Sequence, residues 1–584
     1  MIYMRLILVT LVSLLTLGAC NRHEDSNEGA SGSAGNPLLA YVPTDSPYLF
    51  ANLEPVPDEV IDTYLIRVQP LLDSMQSQLG SARAELESAQ TVNSADAATR
   101  FTHSLLTELD GKLSRDGLES MGFDLQASRV LYGMGAFPAV RVSLADSQLL
   151  RETVMRVIDH AGITVPEQEF QGVPYWRFSN EGHGHESAGL YVSIFKDHLA
   201  ISLIPSLAEA ELLPAFLGLE MPTASDAGAR LQTLNKTNDY SDYGSGMVDF
   251  RNLADEFMTP ETPAGRIMAA SGEFDPATLS PQCKTEFHEI LDHMPRMTMG
   301  IRELNTSAVA IGYRFETPST LGQQLMGLVS KIPAANALTD RILEFSFGMR
   351  FGPVRDFVRE KANAISADPY QCEHLLELNR NAVVALEKLD QPMPPFLNNF
   401  LGLRVSLSEI IMGPDSIPEN ARGFMAVHVE QPQMFVGMAQ MFLPDLSGLA
   451  ITPGEPAVRL PESLVPVPGL VAFAAMSKDA IGLALGEGEQ EGLPEYLEQD
   501  AGPEGTFLSA SYDMAAYMDY SDKLSTGFQA QAGTANGAGA DQPEAVREIS
   551  ESARRVFREM VDRSNTSLRF TNAGLEIENR MTFK

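Results

Sequence analysis

Apolar positions recur at helical spacing early in the chain. Between about residues 58 and 86, Val60, Tyr64, Val68, Leu71 and Met75 step by four, four, three and four, which places them on one helix face. A second helix is predicted over 95–109. Pro70 is expected to kink or split the first, because proline removes a backbone donor and clashes with the preceding turn. Ahead of these, residues 38–53 read as two short strands about a turn at Pro43–Pro47. From about residue 120, short β-rich runs alternate with single helices, and 318–395 returns to a mostly helical pattern. The expected class is α+β, a mostly antiparallel sheet with packed helices plus helical insertions.

Within the alternating region the same order of signals occurs twice. The β-rich run 139–146 leading into a helix at 148–158 is matched by 424–431 and 433–443. Lys196-Asp197 before a strand at 199–203 is matched by Lys478-Asp479 before 481–485. Met247-Val248-Asp249, with Leu253 and Asp255, is matched by Ser511-Tyr512-Asp513, with Tyr517 and Asp519. Pro281 opens a helix reaching about Met294, before strands at 299–302 and 308–315. Pro543 opens one reaching about Asp562, before 567–570 and 575–581. The offsets are 285, 282, 264 and 262, so order is kept while spacing drifts, as in two diverged copies with insertions between them. Generic α+β texture is the alternative. Pro281 and Pro543 suit first helical positions. Asp249 and Asp513 suit N-caps, where a carboxylate accepts from exposed helix N–H groups. The 543–562 helix is expected to bury Val546, Ile549, Ala553, Val556 and Met560, and the polar run 525–541 reads as a flexible insertion.

The length of 584 residues suggests two to four domains at roughly 100–200 residues each. A 44% apolar, 20% charged composition is ordinary for a globular protein and long enough to bury large cores. Acidic side chains outnumber basic ones 77 to 42, a net charge of −35. A polyanion is repelled by phosphate backbones and by anionic headgroups, which argues against nucleic-acid binding and against membrane attachment through surface charge.

The N-terminus carries one positive charge at Arg5, a twelve-residue apolar run from Leu6 to Leu17, and Gly18-Ala19-Cys20. These are the parts of an export signal over residues 1–19. The run is shorter than the roughly 20 residues a spanning helix needs, although a short transmembrane anchor is the alternative. Leu17-Gly18-Ala19-Cys20 resembles the lipobox of bacterial lipoproteins. That resemblance implies that the Cys20 thiol takes a diacylglyceryl group, that cleavage makes Cys20 the first residue, and that its amine is acylated with a chain such as palmitate. Loss of Arg5 with the signal makes the net charge −36. At about 0.8 kcal/mol per buried CH₂, two or more acyl chains hold firmly. Asn21, rather than Asp, follows the cysteine, which by the lipoprotein sorting pattern implies the outer membrane, facing the periplasm. Residues 21–37 contain nothing apolar larger than Ala before Pro37 and read as a flexible tether. The expected layout is therefore a signal at 1–19, a lipidated tether at 20–37, a first repeat at 38–318 with a helical insertion at 58–110, and a second at 319–584 with a helical connector at 319–395.

Only Cys283 and Cys372 remain, and two cysteines in an exported chain suggest one disulfide. Two buried, unbonded thiols are the alternative. Zinc is not expected, since no CxxC pair exists. The opening Leu39-Ala40-Tyr41-Val42-Pro43, continued by Asp45, Pro47 and Tyr48, resembles a family of bacterial envelope proteins of unassigned function. The resemblance covers the start clearly and the rest loosely. It implies an exported α+β body and supplies no catalytic residues.

Chemistry-bearing motifs are sparse. Glu181-Gly-His183-Gly-His185-Glu186 groups two imidazoles with carboxylates and is a weak candidate for zinc or copper, but it falls in a Gly-rich turn between strands and reads as a solvated hairpin loop. His288-Glu289-Ile-Leu-Asp-His293 has one residue too many for a zincin helix, whose histidines sit four apart. No Gly-x-Ser-x-Gly elbow, P-loop or strand-linked dinucleotide fingerprint occurs. Met434, Met438 and Met441 share one helix face, which reads first as packed core and second as the lining of an apolar groove. No catalytic residue and no cofactor is expected. The leading expectation is a non-enzymatic lipoprotein that binds or scaffolds an envelope partner. A carrier of lipid or another apolar ligand and a hydrolase with a site assembled from distant residues stand beside it.

Overall fold

The computed structural model describes residues 35–88, 97–178, 188–222, 225–272, 274–335, 341–392, 394–412, 418–465, 469–520 and 544–584. They form 19 strands in antiparallel ladders with helices packed on them, an α+β fold. The chain divides into two compact units. The first runs to Leu279 and adds Pro295–Ile311 and Gln542–Val556; the second takes Ser280–Met294, Gly312–Asp541 and Phe557–Lys584.

The first unit contains β1 (Tyr48–Ala51), β2 (Arg129–Met134), β3 (Phe137–Ser143), β4 (Gln168–Phe170), β5 (Val173–Phe178), β6 (Ala188–Phe195), β7 (His198–Pro205), β8 (Ser245–Asp249) and β9 (Arg296–Leu304). They lie in the order β4-β5-β6-β7-β3-β2-β1-β8-β9. Helices α1 (Asp58–Ser88), α2 (Ala97–Leu109), α3 (Ser147–Ala161), α4 (Glu209–Phe216) and α5 (Phe250–Met258) accompany them. Successive residues of a strand face opposite ways, yet Tyr175 and Trp176 on β5 are both buried. Tyr175 joins a core with Leu49, Tyr132, Tyr191 and Phe216, while Trp176 joins Leu150, Ile158 and Ile194, so the sheet is covered on both faces.

The second unit contains α6 (Pro281–Leu291), the end of β10 (Ala308–Glu316), β11 (Leu343–Phe347), α7 (Phe351–Ala367), α8 (Leu376–Leu389), β12 (Phe400–Met412) and β13 (Pro418–Val429). Next come α9 (Pro432–Phe442), β14 (Val458–Arg459), β15 (Ala472–Met476), β16 (Ala480–Leu485), α10 (Leu493–Leu497) and β17 (Thr506–Asp513). The chain ends with α11 (Glu544–Met560), which begins in the first unit, then β18 (Val561–Thr571) and β19 (Gly574–Phe583). The strand order is β14-β15-β16-β13-β12-β11-β17-β18-β19. Position for position, β14 to β18 in that order stand where β5-β6-β7-β3-β2-β1-β8-β9 stand in the first unit.

Several expected local features are present. Asp249 accepts from the Asn252 N–H at 2.9 Å and Asp513 from Ala516 at 2.8 Å, each at a strand-to-helix step. Ser280 caps α6 ahead of Pro281. Others differ. Residues 38–41 form a 3₁₀ turn, Pro37–Tyr41, rather than a strand. Leu38, Leu39 and Val42 are all buried, a spacing that suits a turn of helix and not strand alternation. Helix α1 passes through Pro70 without splitting. The carbonyl that loses its partner there belongs to Ile66, a residue 74% exposed, where water can take the donor's place. The connector expected to be helical contains a central strand, β11, whose inward residues Glu344 and Ser346 are polar and so mask the pattern. Helix α11 ends at Met560; Val556 is buried on it and Ala553 and Met560 are half-buried.

Candidate functional site

Cys20, the histidines His183 and His185, the polar run 525–541 and Pro543 lie outside the described residues. Among the described residues no group of three or more His, Cys, Asp and Glu could hold a metal ion. His288 sits on α6 and His293 lies beyond its end, so the two do not share a helix face.

Cys283 and Cys372 form a disulfide, with Cα atoms 4.7 Å apart. Cys283 is in the first turn of α6 and Cys372 precedes a short 3₁₀ turn; both are buried. Glu286, three residues after Cys283, faces the same place. Its carboxylate accepts from the backbone N–H of Gln371 at 2.9 and 3.1 Å, from that of Cys372 at 2.9 Å, and from the Gln282 side chain at 2.9 Å. Burial raises this carboxyl, but those hydrogen bonds outweigh it and hold Glu286 below the ordinary glutamate range. The covalent bond and the carboxylate together fix the segment after α7 to α6.

Among the described residues the two most exposed large apolar side chains, Met441 and Phe442, lie on α9, PQMFVGMAQMF. Of its residues only Pro432 is buried. Met434 is 38% exposed, Met441 and Phe442 are each 81% exposed, and Met438, Phe435 and Val436 are half-buried. The expectation that this methionine stripe packs as core is therefore overturned. The periodicity was that of an amphipathic helix, but periodicity does not say whether a neighbour covers the apolar side. No charged residue occurs from Gln431 to Pro444, between Glu430 and Asp445. Exposed apolar side chains grouped on one short helix make α9 a candidate interaction surface.

No family model, curated protein or solved structure matches the chain. Among the described residues no helix is long and apolar enough to cross a membrane.

Two buried cation–imidazole arrangements were not apparent from the sequence. In the first unit Arg141, 1% exposed, donates to Phe216 O at the end of α4 (2.6 Å) and to Tyr132 Oη (3.0 Å). Its Nη1 lies 2.8 Å from His198 Nε2, and the guanidinium sits 3.9 Å over the Tyr41 ring. In the second unit Arg404 donates to Tyr496 O in α10 (2.9 Å) and to the Gln499 side chain, and lies 4.2 Å over the Tyr496 ring. Burial, then the adjacent Arg141, lowers His198 to about 4. Burial, then Arg404, lowers His428 to the same value. Both imidazoles are therefore neutral at pH 7. The ladders explain why alignment by residue identity hides the match. Arg141 pairs with Val130 across β3 and β2; Arg404 pairs with Ala426 across β12 and β13, the same rung with the arginine on the other strand. His198 pairs with Ser143, whereas His428 pairs with Ala480, again one rung with the residues transposed. Each arginine joins its sheet to the helix that follows the β7 or β16 position.

Proposed function

We propose that the protein is a lipid-anchored component of the bacterial cell envelope, held at the membrane by acyl chains on Cys20 and acting by binding a partner rather than by catalysis. The division of its three cysteines carries this reading. Cys283 and Cys372 are bonded to each other, and such bonds persist in oxidising compartments, which supports export. Cys20, outside that bond, stands at the lipobox. Asn21 favours the outer membrane and its periplasmic side. The common strand order of the two units supports descent from one duplicated module. Metabolic labelling with an alkyne fatty acid tests the anchor: the wild type should take the label and a Cys20→Ser variant should not. Equal labelling of both, or none of either, ends this reading.

A second reading, a carrier of lipid or another apolar molecule, is favoured by the exposure of Met434, Met441 and Phe442. Native mass spectrometry of the detergent-free soluble body should then show bound lipid, and an empty protein in every preparation would count against it.

A further inference from the structure

We infer that the exposed face of α9 docks one amphipathic helix of a partner protein, a helix with an apolar stripe and a lysine or arginine near one end. The inference rests on the binding reading above and names the partner's chemistry. Its main support is what happens to the equivalent helix. Helix α3 follows β3 and α9 follows β13, strands that hold the same place in the two orders. In the first unit α3 is covered by α2. Phe101 of α2 packs with Leu150, Ile158 and Trp176. Ser104 donates to Val157 O at 2.7 Å, Arg100 donates to Ala161 O at the end of α3 at 2.9 Å, and Glu108 pairs with Arg156 at 2.8 Å. Five residues of α3 are buried, against one of α9. The sheet–helix–helix layering that the first unit completes with its own α2 stops, among the described residues of the second, at α9.

The chemistry of α9 selects among occupants. Helices that lie in a membrane surface draw on lysines and arginines along their polar face. The polar positions of α9 are Gln433 and Gln440, and the charges that flank it are Glu430 and Asp445 in a chain of net charge −35. Anionic headgroups are therefore repelled. A second copy would bring the same acidic flanks together. A basic residue on an incoming helix meets attraction there, as Arg100 does at the carbonyl end of α3. Methionine side chains, flexible and polarisable, fit the apolar stripe of such a helix.

The test is photo-crosslinking of the full-length lipidated protein in its own cells, with p-benzoylphenylalanine at Met441 and, as a control on a different exposed apolar position, at Ile66. The expected result is a discrete adduct from position 441, absent from 66, whose crosslinked peptide maps to an amphipathic helix bearing a basic residue near one end. A second substitution, Met434→Glu at a 38% exposed position, should lower that adduct at least tenfold without shifting the thermal unfolding midpoint. Adducts with lipid, with α9 of a second copy or with an extended segment would overturn the inference, as would the same adduct from both positions or none from 441. Fatty-acid labelling at Cys20 is read separately, so failure of the anchor and failure of the docking face are distinguishable.

Discussion

His198 and His428 are buried beside guanidinium groups and titrate near 4 instead of 6.5. Between those values an unfolded chain binds protons that the folded chain refuses. Stability therefore rises with pH across that window and is lost as pH falls from about 6.5 to about 4. Each imidazole accounts for on the order of 3 kcal/mol when the loss is complete. Urea midpoints at pH 7.5 and 4.5 should show this loss in the wild type and a smaller one in a His198→Gln/His428→Gln double variant; equal losses would refute it. Glu286 acts in a lower window. Its carboxyl is held down, so its contribution is present above the unfolded value near 4.3 and fades below it. Glu286→Gln turns an amide N–H₂ towards a backbone donor and should cost about 1–3 kcal/mol at pH 7. Urea denaturation against the wild type measures it, and the disulfide of the variant should be reduced faster by a fixed concentration of dithiothreitol.

Arg141 and Arg404 belong to the scale of elements, because each joins a strand to the end of a helix. Arg141→Met would strand the Phe216 carbonyl and the Tyr132 hydroxyl, at a cost of about 1–3 kcal/mol, and would move His198 back up towards its ordinary value. An NMR titration of the His198 ring follows the second effect; an unmoved midpoint would show that Arg141 does not reach it. The α9 face gives the complementary case. Met441→Glu, at an 81% exposed site, should change stability by less than about 0.5 kcal/mol, whereas Leu493→Ala in α10, fully buried, should cost about 2–5 kcal/mol. Comparable losses from both in urea denaturation would mean that α9 is packed. These elements also mark what the sequence could say. The caps at Asp249, Asp513 and Ser280 were readable because capping is local chemistry. Strand β11 was not, since Glu344 and Ser346 point inward where alternation calls for apolar residues. Nor were the two buried arginines, because arginines on opposite strands of corresponding rungs give no matching letter between the two units. The methionine spacing defines a helix face but not what covers it, since cover by a neighbour is a tertiary fact.

Both bonded cysteines lie in the second unit, which sets an expectation for the whole molecule. Cross-linking positions 89 residues apart lowers the entropy of the unfolded chain by an amount worth roughly 4–5 kcal/mol in the loop-closure treatment. The loop passes through Pro295–Ile311 of the first unit, but the bond itself ties together α6 and the turn before α8, both in the second. A Cys283→Ser/Cys372→Ser variant should therefore lose stability unevenly. Hydrogen exchange followed by mass spectrometry should show faster exchange in α6, in the turn after Cys372 and in α8, while amides of β1 to β8 keep their protection. Reduction of the wild type should reproduce the pattern, because the variant and the reductant remove the same constraint. Faster exchange spread evenly over both units would mean that the two unfold as one, and that the bond stabilises the entire chain rather than the unit in which it sits.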